Sequence, residues 1–161
     1  MVSPLGRIAL HPFSAEQAQR VVTNTPSISD SWASDYPFED ELDVLRSFVI
    51  RLGSGTDPHP FTLYRIDDVS TGRAVGGIGF FYEPDESGTT ELGFGLVPSA
   101  RGKGFATEAL VGAVDIARDG GARRVIAHTA VENDASQRVL IRVGFVEVSR
   151  ADGLIFYAIT C

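Results

Sequence analysis

The chain of 161 residues predicts an α+β fold: a mixed, mostly antiparallel sheet flanked by helices. Three observations predict it. First, Phe61 to Val97 contains three strand-like runs joined only by the polar turns 67–72 and 84–88. Links that short connect antiparallel neighbours. Second, Ala109, Leu110, Ala113, Val114 and Ala117 recur at helical spacing between Phe105 and Arg118, so strands on either side of that helix can run parallel. Third, Val146 to Ser149 and Leu154 to Ile159 flank the turn Ala151-Asp152-Gly153, which reads as a closing hairpin.

The elements follow in order. Arg7 to Leu10 reads as a short strand. Ser14 to Asn24 reads as a helix, with Ser14 as N-cap and Gln17 completing a capping box, and Ala18, Val21 and Val22 forming its apolar face. Residues 27–38 are rich in turn formers and hold Trp32. Leu42, Leu45, Phe48, Val49 and Leu52 then define an amphipathic helix that Gly53 stops. Phe61 to Ile66, Arg73 to Tyr82 and Thr89 to Val97 are the strands of the meander. Gly76, Gly77 and Gly79 in the second of them mark a bulge or a close approach of another backbone. Gly120 and Gly121 end the long helix. Arg124 to His128 is a strand that His128 ends, and residues 134–143 form a second short helix. This length suits one domain, 1–161.

Composition narrows the function. The net charge is -7, so a basic footprint for nucleic acid is absent and no nucleic-acid partner is expected. Acidic residues gather at 35–41 and at Asp85-Glu86. They read either as a field that draws a cationic amine or as a solvated surface. The one cysteine, Cys161, allows no internal disulfide, and the scattered histidines His11, His59 and His128 make no metal site. No basic-then-apolar leader opens the chain, and no run approaches the ~18 apolar residues of a membrane span. A cytoplasmic protein with no membrane partner is expected.

The most informative stretch is Arg101-Gly102-Lys103-Gly104-Phe105-Ala106, which leaves a strand and opens the long helix. Unpaired amides, the positive end of the helix dipole and two cations together suit a pyrophosphate. The Walker pattern is absent. The dinucleotide fingerprint fails at its third position, where Thr107 stands. What matches is R-x-x-G-x-A. Upstream lies Glu91-Leu92-Gly93-Phe94-Gly95-Leu96-Val97-Pro98. Downstream, Asn133 and Ser136 open a short helix that ends at Gly144-Phe145. These three ordered segments, spanning roughly residues 73–160, resemble the acyl-CoA site of the GNAT superfamily of N-acetyltransferases, most closely its RimJ/RimL-like branch.

That resemblance implies acetyl-CoA as acyl donor, with no metal. Its pyrophosphate would lie on the amides of Arg101, Gly102, Lys103, Gly104, Phe105 and Ala106, with Thr107 next on the helix. Its pantetheine would lie along the backbone of Phe94, Gly95, Leu96 and Val97, with Asn133 and Ser136 as further contacts. Asn133 and Ser136 also suit a helix cap. Acetyl transfer needs a neutral amine, an oxyanion donor and a proton for the leaving thiolate. Glu91 is the first candidate base, against a solvent-facing or ion-paired strand residue, and Gly93 and Gly95 leave room on its face of the strand. His128 is a second base or a structural histidine. Many relatives carry Tyr seven residues after the Asn as acid. This chain has Leu140 there, so Ser136 or water would donate instead. Trp32, Tyr36 and Phe38 form either an acceptor wall or packing, with Asp30 or Asp35 pairing to a positive group. The acceptor would be a primary amine, either a protein N-terminus or a small molecule, reached by direct transfer in a ternary complex. A longer acyl-CoA donor and a non-catalytic acyl-CoA sensor are the alternatives. Dimers are frequent in the family, so a homodimer is one assembly the resemblance implies.

Overall fold

The computed structural model describes residues 6–55 and 57–161. Seven strands form a sheet in the order β1-β2-β3-β4-β5-β7-β6. They are β1 (Ile8–Pro12), β2 (Leu63–Asp68), β3 (Arg73–Phe80), β4 (Thr89–Leu96), β5 (Arg124–Ala130), β6 (Val146–Ala151) and β7 (Leu154–Thr160). The helices are α1 (Ala15–Thr23), α2 (Glu39–Gly53), α3 (Phe105–Asp119) and α4 (Asp134–Val143). All neighbouring strands pair antiparallel except β4 and β5, which the α3 crossover makes parallel. This is the mixed, mostly antiparallel sheet that the periodicity predicts.

Local chemistry explains the boundaries. Ser14 caps α1 with both bonds of the capping box: its Oγ accepts from the Gln17 amide at 3.1 Å, and Gln17 Oε1 accepts from the Ser14 amide at 3.0 Å. Helix α2 starts at Glu39, ahead of the apolar repeat, because Glu39, Asp40 and Glu41 favour the positive end of the helix dipole. Strand β2 lies two residues later than the sequence indicates. Phe61 is held in a turn by a 2.7 Å bond from its amide to the Pro58 carbonyl, and Pro60 offers no amide to a ladder. Strand β5 extends to Ala130, so His128 lies inside it. Pairing with β7 through Ala130↔Leu154 carries the strand past the histidine. A bulge does fall at the glycine run, where Val75 is the extra residue between the pairs Ile66↔Gly76 and Asp67↔Ala74.

Alternation gives the middle of the sheet two unlike faces. Ile66, Ile78, Phe80, Leu92 and Leu96 are buried in a core with Phe105, Ala109, Leu110 and Ala113 of α3. The opposite face of β3 and β4 carries Gly77, Gly79, Glu91, Gly93 and Gly95. Gly77 and Gly95 are cross-strand partners, and the first turn of α2 presses on both. A Cβ at Gly77 would lie 2.3 Å from Glu41 Oε1, and one at Gly95 would lie 2.2 Å from the Phe38 ring. Only glycine lets these side chains approach the sheet.

Candidate functional site

Strands β4 and β5 pair through just three couples, Thr89↔Arg124, Thr90↔Val125 and Glu91↔Ile126. Beyond Glu91 the two strands part. Phe94, Gly95 and Leu96 still pair with β3 on one edge but have no strand on the other. A cleft of about 790 Å³ opens there. Its walls include Phe94 to Leu96, the 101–107 loop, and Asn133, Ser136, Arg138 and Arg142 at the start and along one side of α4.

The loop has the geometry of an anion cradle. Gly102 and Gly104 have φ of +76° and +83°, a left-handed backbone that glycine adopts without penalty. No side chain caps α3, and no described residue accepts from the amides of 102–107. Thr107 Oγ1 is buried in the same wall without a partner. Arg101 reaches back to the Leu96 carbonyl at 3.0 Å. Arg7 braces the loop from β1's entry: it donates to the Lys103 carbonyl at 3.0 Å, pairs with Glu108, and stacks over Phe105 at 5.7 Å. Unbonded amides, an orphaned hydroxyl and surrounding cations fit a diphosphate.

Across the cleft, Asn133 Oδ1 accepts from the Ser136 amide at 3.1 Å, so Asn133 is the N-cap of α4. Both residues also line the cleft. Leu140 is 1% exposed and belongs to the core.

Glu91 and His128 come together where the strands divide. His128 Nδ1 lies 2.7 Å from Glu91 Oε1, with side-chain exposures of 39% and 19%. The parallel pairing sets this contact, because Ile126 opposite Glu91 puts His128 on the same face one step along. Neither residue walls the main cleft; Glu91 belongs to the last β4–β5 couple, and Gly93, two residues along the same face, is in the wall. Tyr82 is close by, its phenol pKa raised by burial first and then by Glu91.

The aromatic segment divides. Phe38 lines the cleft. Trp32 bridges to Ala74 and meets Tyr36 edge-on at 5.4 Å, away from the cleft walls. Tyr36 is buried, and desolvation pushes its phenol far above the usual range. Asp30 is committed to Arg20 through bonds of 2.6 and 2.9 Å, which hold its pKa down to about 2. Asp35 accepts from the Ser99 amide and hydroxyl at 2.8 and 2.7 Å, which lowers its pKa. Both aspartates therefore act as struts with their charges already engaged.

Glu41 is the residue that sequence reasoning missed. It lines the cleft at 7% exposure, and neither carboxyl oxygen has a hydrogen-bond partner. Desolvation raises its pKa to about 8. Tyr36 opposes that shift weakly, yet no well-formed hydrogen bond joins the two. A signal was present. Glu41, Leu45, Phe48 and Leu52 are spaced 4, 3 and 4 residues apart, which places the glutamate on the buried stripe of α2.

Comparison with known proteins bears on this arrangement. A family model described as "Acetyltransferase (GNAT) domain" matches residues 7–146. A Bacillus subtilis (strain 168) protein described as an uncharacterized N-acetyltransferase, YjdG, is 37% identical over 114 residues, covering 70% of this chain and 67% of the relative. A GNAT-family acetyltransferase structure from Bacillus anthracis overlays with a TM-score of 0.68 at 22% identity, covering 99% of this chain and 98% of that one. A putative ribosomal-protein-serine acetyltransferase from Vibrio cholerae overlays with a TM-score of 0.69 at 14% identity over the whole of both chains. Likeness at these structural identities concerns the fold.

Proposed function

Since this chain belongs to the GNAT family of acetyltransferases, we propose that it moves an acetyl group from acetyl-CoA directly to a primary amine in a ternary complex. The observation that carries the reading is the continuous cleft from the unbonded amides of 102–107 to the fork between β4 and β5. Acetyl-CoA supplies the activated thioester carbon. The amides of Gly102 to Ala106 and Thr107 Oγ1 would hold its diphosphate, with Arg101 and Lys103 adding charge. The strandless edge of Phe94 to Val97 would pair with the amides of its pantetheine arm, Arg101 giving up the Leu96 carbonyl to it, and fix the arm with little entropy left to lose. Asn133 and Ser136 close the opposite wall.

At the fork, Glu91 and His128 handle the amine's proton. With Glu91 ionised, His128 Nδ1–H donates to it, and Nε2 is left as an acceptor for a proton carried directly or through water. Ser136 is the wall hydroxyl on the leaving-group side, where Leu140 offers no proton. The acceptor is a small amine or a protein N-terminus, and the fold does not choose between them. We place the enzyme in the cytoplasm, as a homodimer by family analogy; no helix among the described residues is long and apolar enough to cross a membrane.

The test is twofold. Calorimetry should show one CoA site per chain, and acetyl-CoA with a panel of amines should release free thiol. CoA uptake with no thiol release from any amine would favour the sensor alternative. No CoA uptake would end the proposal.

A further inference from the structure

Acetyl transfer as described leaves Glu41 idle, although a buried carboxylate without a partner is costly to keep. We propose that Glu41 is an anionic subsite for a second, non-reacting ammonium group of the acceptor, so that the acceptor is an aliphatic diamine or a longer amine of that pattern; this rests on the acetyltransferase reading above.

The face of β4 that holds Glu91 reads Glu91, Gly93, Gly95, and Glu41 stands over Gly77, the partner of Gly95. Four residues of strand separate Glu91 from Gly95, roughly 13 Å at the usual rise. The space between is apolar and aromatic. The Phe81 ring covers Gly93 and the Phe38 ring covers Gly95, with a closest approach of 2.8 Å from the Phe81 ring to a Cβ built at Gly93. Leu63 adds to the lining. Glu41 in the cleft wall and Glu91 at the strand fork, with aromatic rings between them, are the complement of an alkyl chain with a cation at each end. The end at Glu91 and His128 takes the amine that reacts, and Glu41 takes the one that does not.

The local charges leave this role open. Arg65, cross-strand from Gly77, is locked to Asp67 by two bonds of 2.7 Å. Arg20 of the packed helix α1 is held by Asp30 and Glu16. Arg101 is turned to the Leu96 carbonyl. Tyr36 faces Glu41 but is pushed upward by burial and stays neutral. Asp40, next in the helix, repels anions from the same wall. Arg138 and Arg142 of α4 also line the cleft, but neither bonds to Glu41, whose two oxygens have no hydrogen-bond partner, so a ligand's ammonium can meet them.

The experiment compares diaminobutane, diaminohexane and diaminooctane with the monoamines of equal length. For the best diamine, kcat/KM should exceed that of its monoamine about tenfold to a hundredfold, the size of a charge-assisted contact. Glu41→Gln should bring that ratio close to one. A wild-type ratio near one, or a ratio that survives Glu41→Gln, overturns the proposal. So does an equal loss for both substrate classes, which would make Glu41 catalytic or structural. A second measurement needs no variant. Glu41 in the free protein is mostly protonated at neutral pH, so diamine binding should release about one proton, read by calorimetry in buffers of different ionisation enthalpy. Binding without release overturns the subsite. CoA is titrated in the same runs: diamine-linked proton release without CoA uptake sinks the transferase reading and leaves the subsite standing.

Discussion

Glu41 of α2 and Glu91 of β4 are the same residue type over the same face of one sheet, and their surroundings differ. Glu91 has a histidine at 2.7 Å and partial access to water. Glu41 has neither. Glu91→Gln and His128→Ala should each lower kcat by about a hundredfold, the usual worth of a placed proton acceptor, while CoA affinity measured by calorimetry stays unchanged. A loss confined to KM would show that the pair only binds the amine. Glu91, Asn133 and Ser136 are candidates from the sequence because the segments that carry them keep the family's order around the glycine-rich loop. Glu41 could not be read that way, since its burial depends on the missing side chain of Gly77, far along the chain. Asp30 and Asp35 looked available because their partners, Arg20 and Ser99, are fixed only by the tertiary fold.

Elements whose ends are set by local chemistry were the most legible. The capping box placed α1, and Asn133 with Gly144 placed α4 at residues 134–143. Elements whose ends are set by a neighbour were less so. β2 moved by two residues, and β5 grew because β7 continued beside it. The entry to α3 gives a prediction at this scale. Gly104→Ala puts a Cβ on a residue at φ +83° and 2.9 Å from Arg7 Nη2. It should cost about 1–2 kcal/mol, lower Tm by about 2–8 °C, and weaken CoA binding, because the cradle and its brace shift together. Thermal unfolding and calorimetry on the same preparation would check both. Intact CoA affinity in the variant would show that the amides of 102–107 do not hold the diphosphate.

Over the whole molecule, the order of strands and helices was readable from periodicity and link length, whereas the fork is implied only by the family resemblance. The β4–β5 pairing stops after Glu91↔Ile126, a register that no short window of sequence records. The buried carboxyls give the folded protein a pH signature. Glu41 keeps its proton up to about pH 8 when folded and to about 4.5 when unfolded, so the folded state binds more protons between those values. Stability then falls as pH rises through that window, by an amount of order a few kcal/mol. Asp30 acts oppositely: its contribution is complete above its ordinary 3.8 and is lost as pH falls toward about 2. Unfolding curves from about pH 5 to about pH 8 should therefore decline for the wild type and flatten for Glu41→Gln. A wild-type curve that rises over that interval would contradict the burial of Glu41.

The gap beyond Glu91 has a consequence of a different kind. A docking site made from the unfinished edge of a ladder presents peptide groups, and every amino acid carries the same ones. Replacing Phe94 or Leu96 alters what hangs beside the visitor but not the row of donors and acceptors it meets. Such a seat can be inherited through long divergence while the far wall, where Phe38, Phe81 and Glu41 stand, is rewritten for new guests.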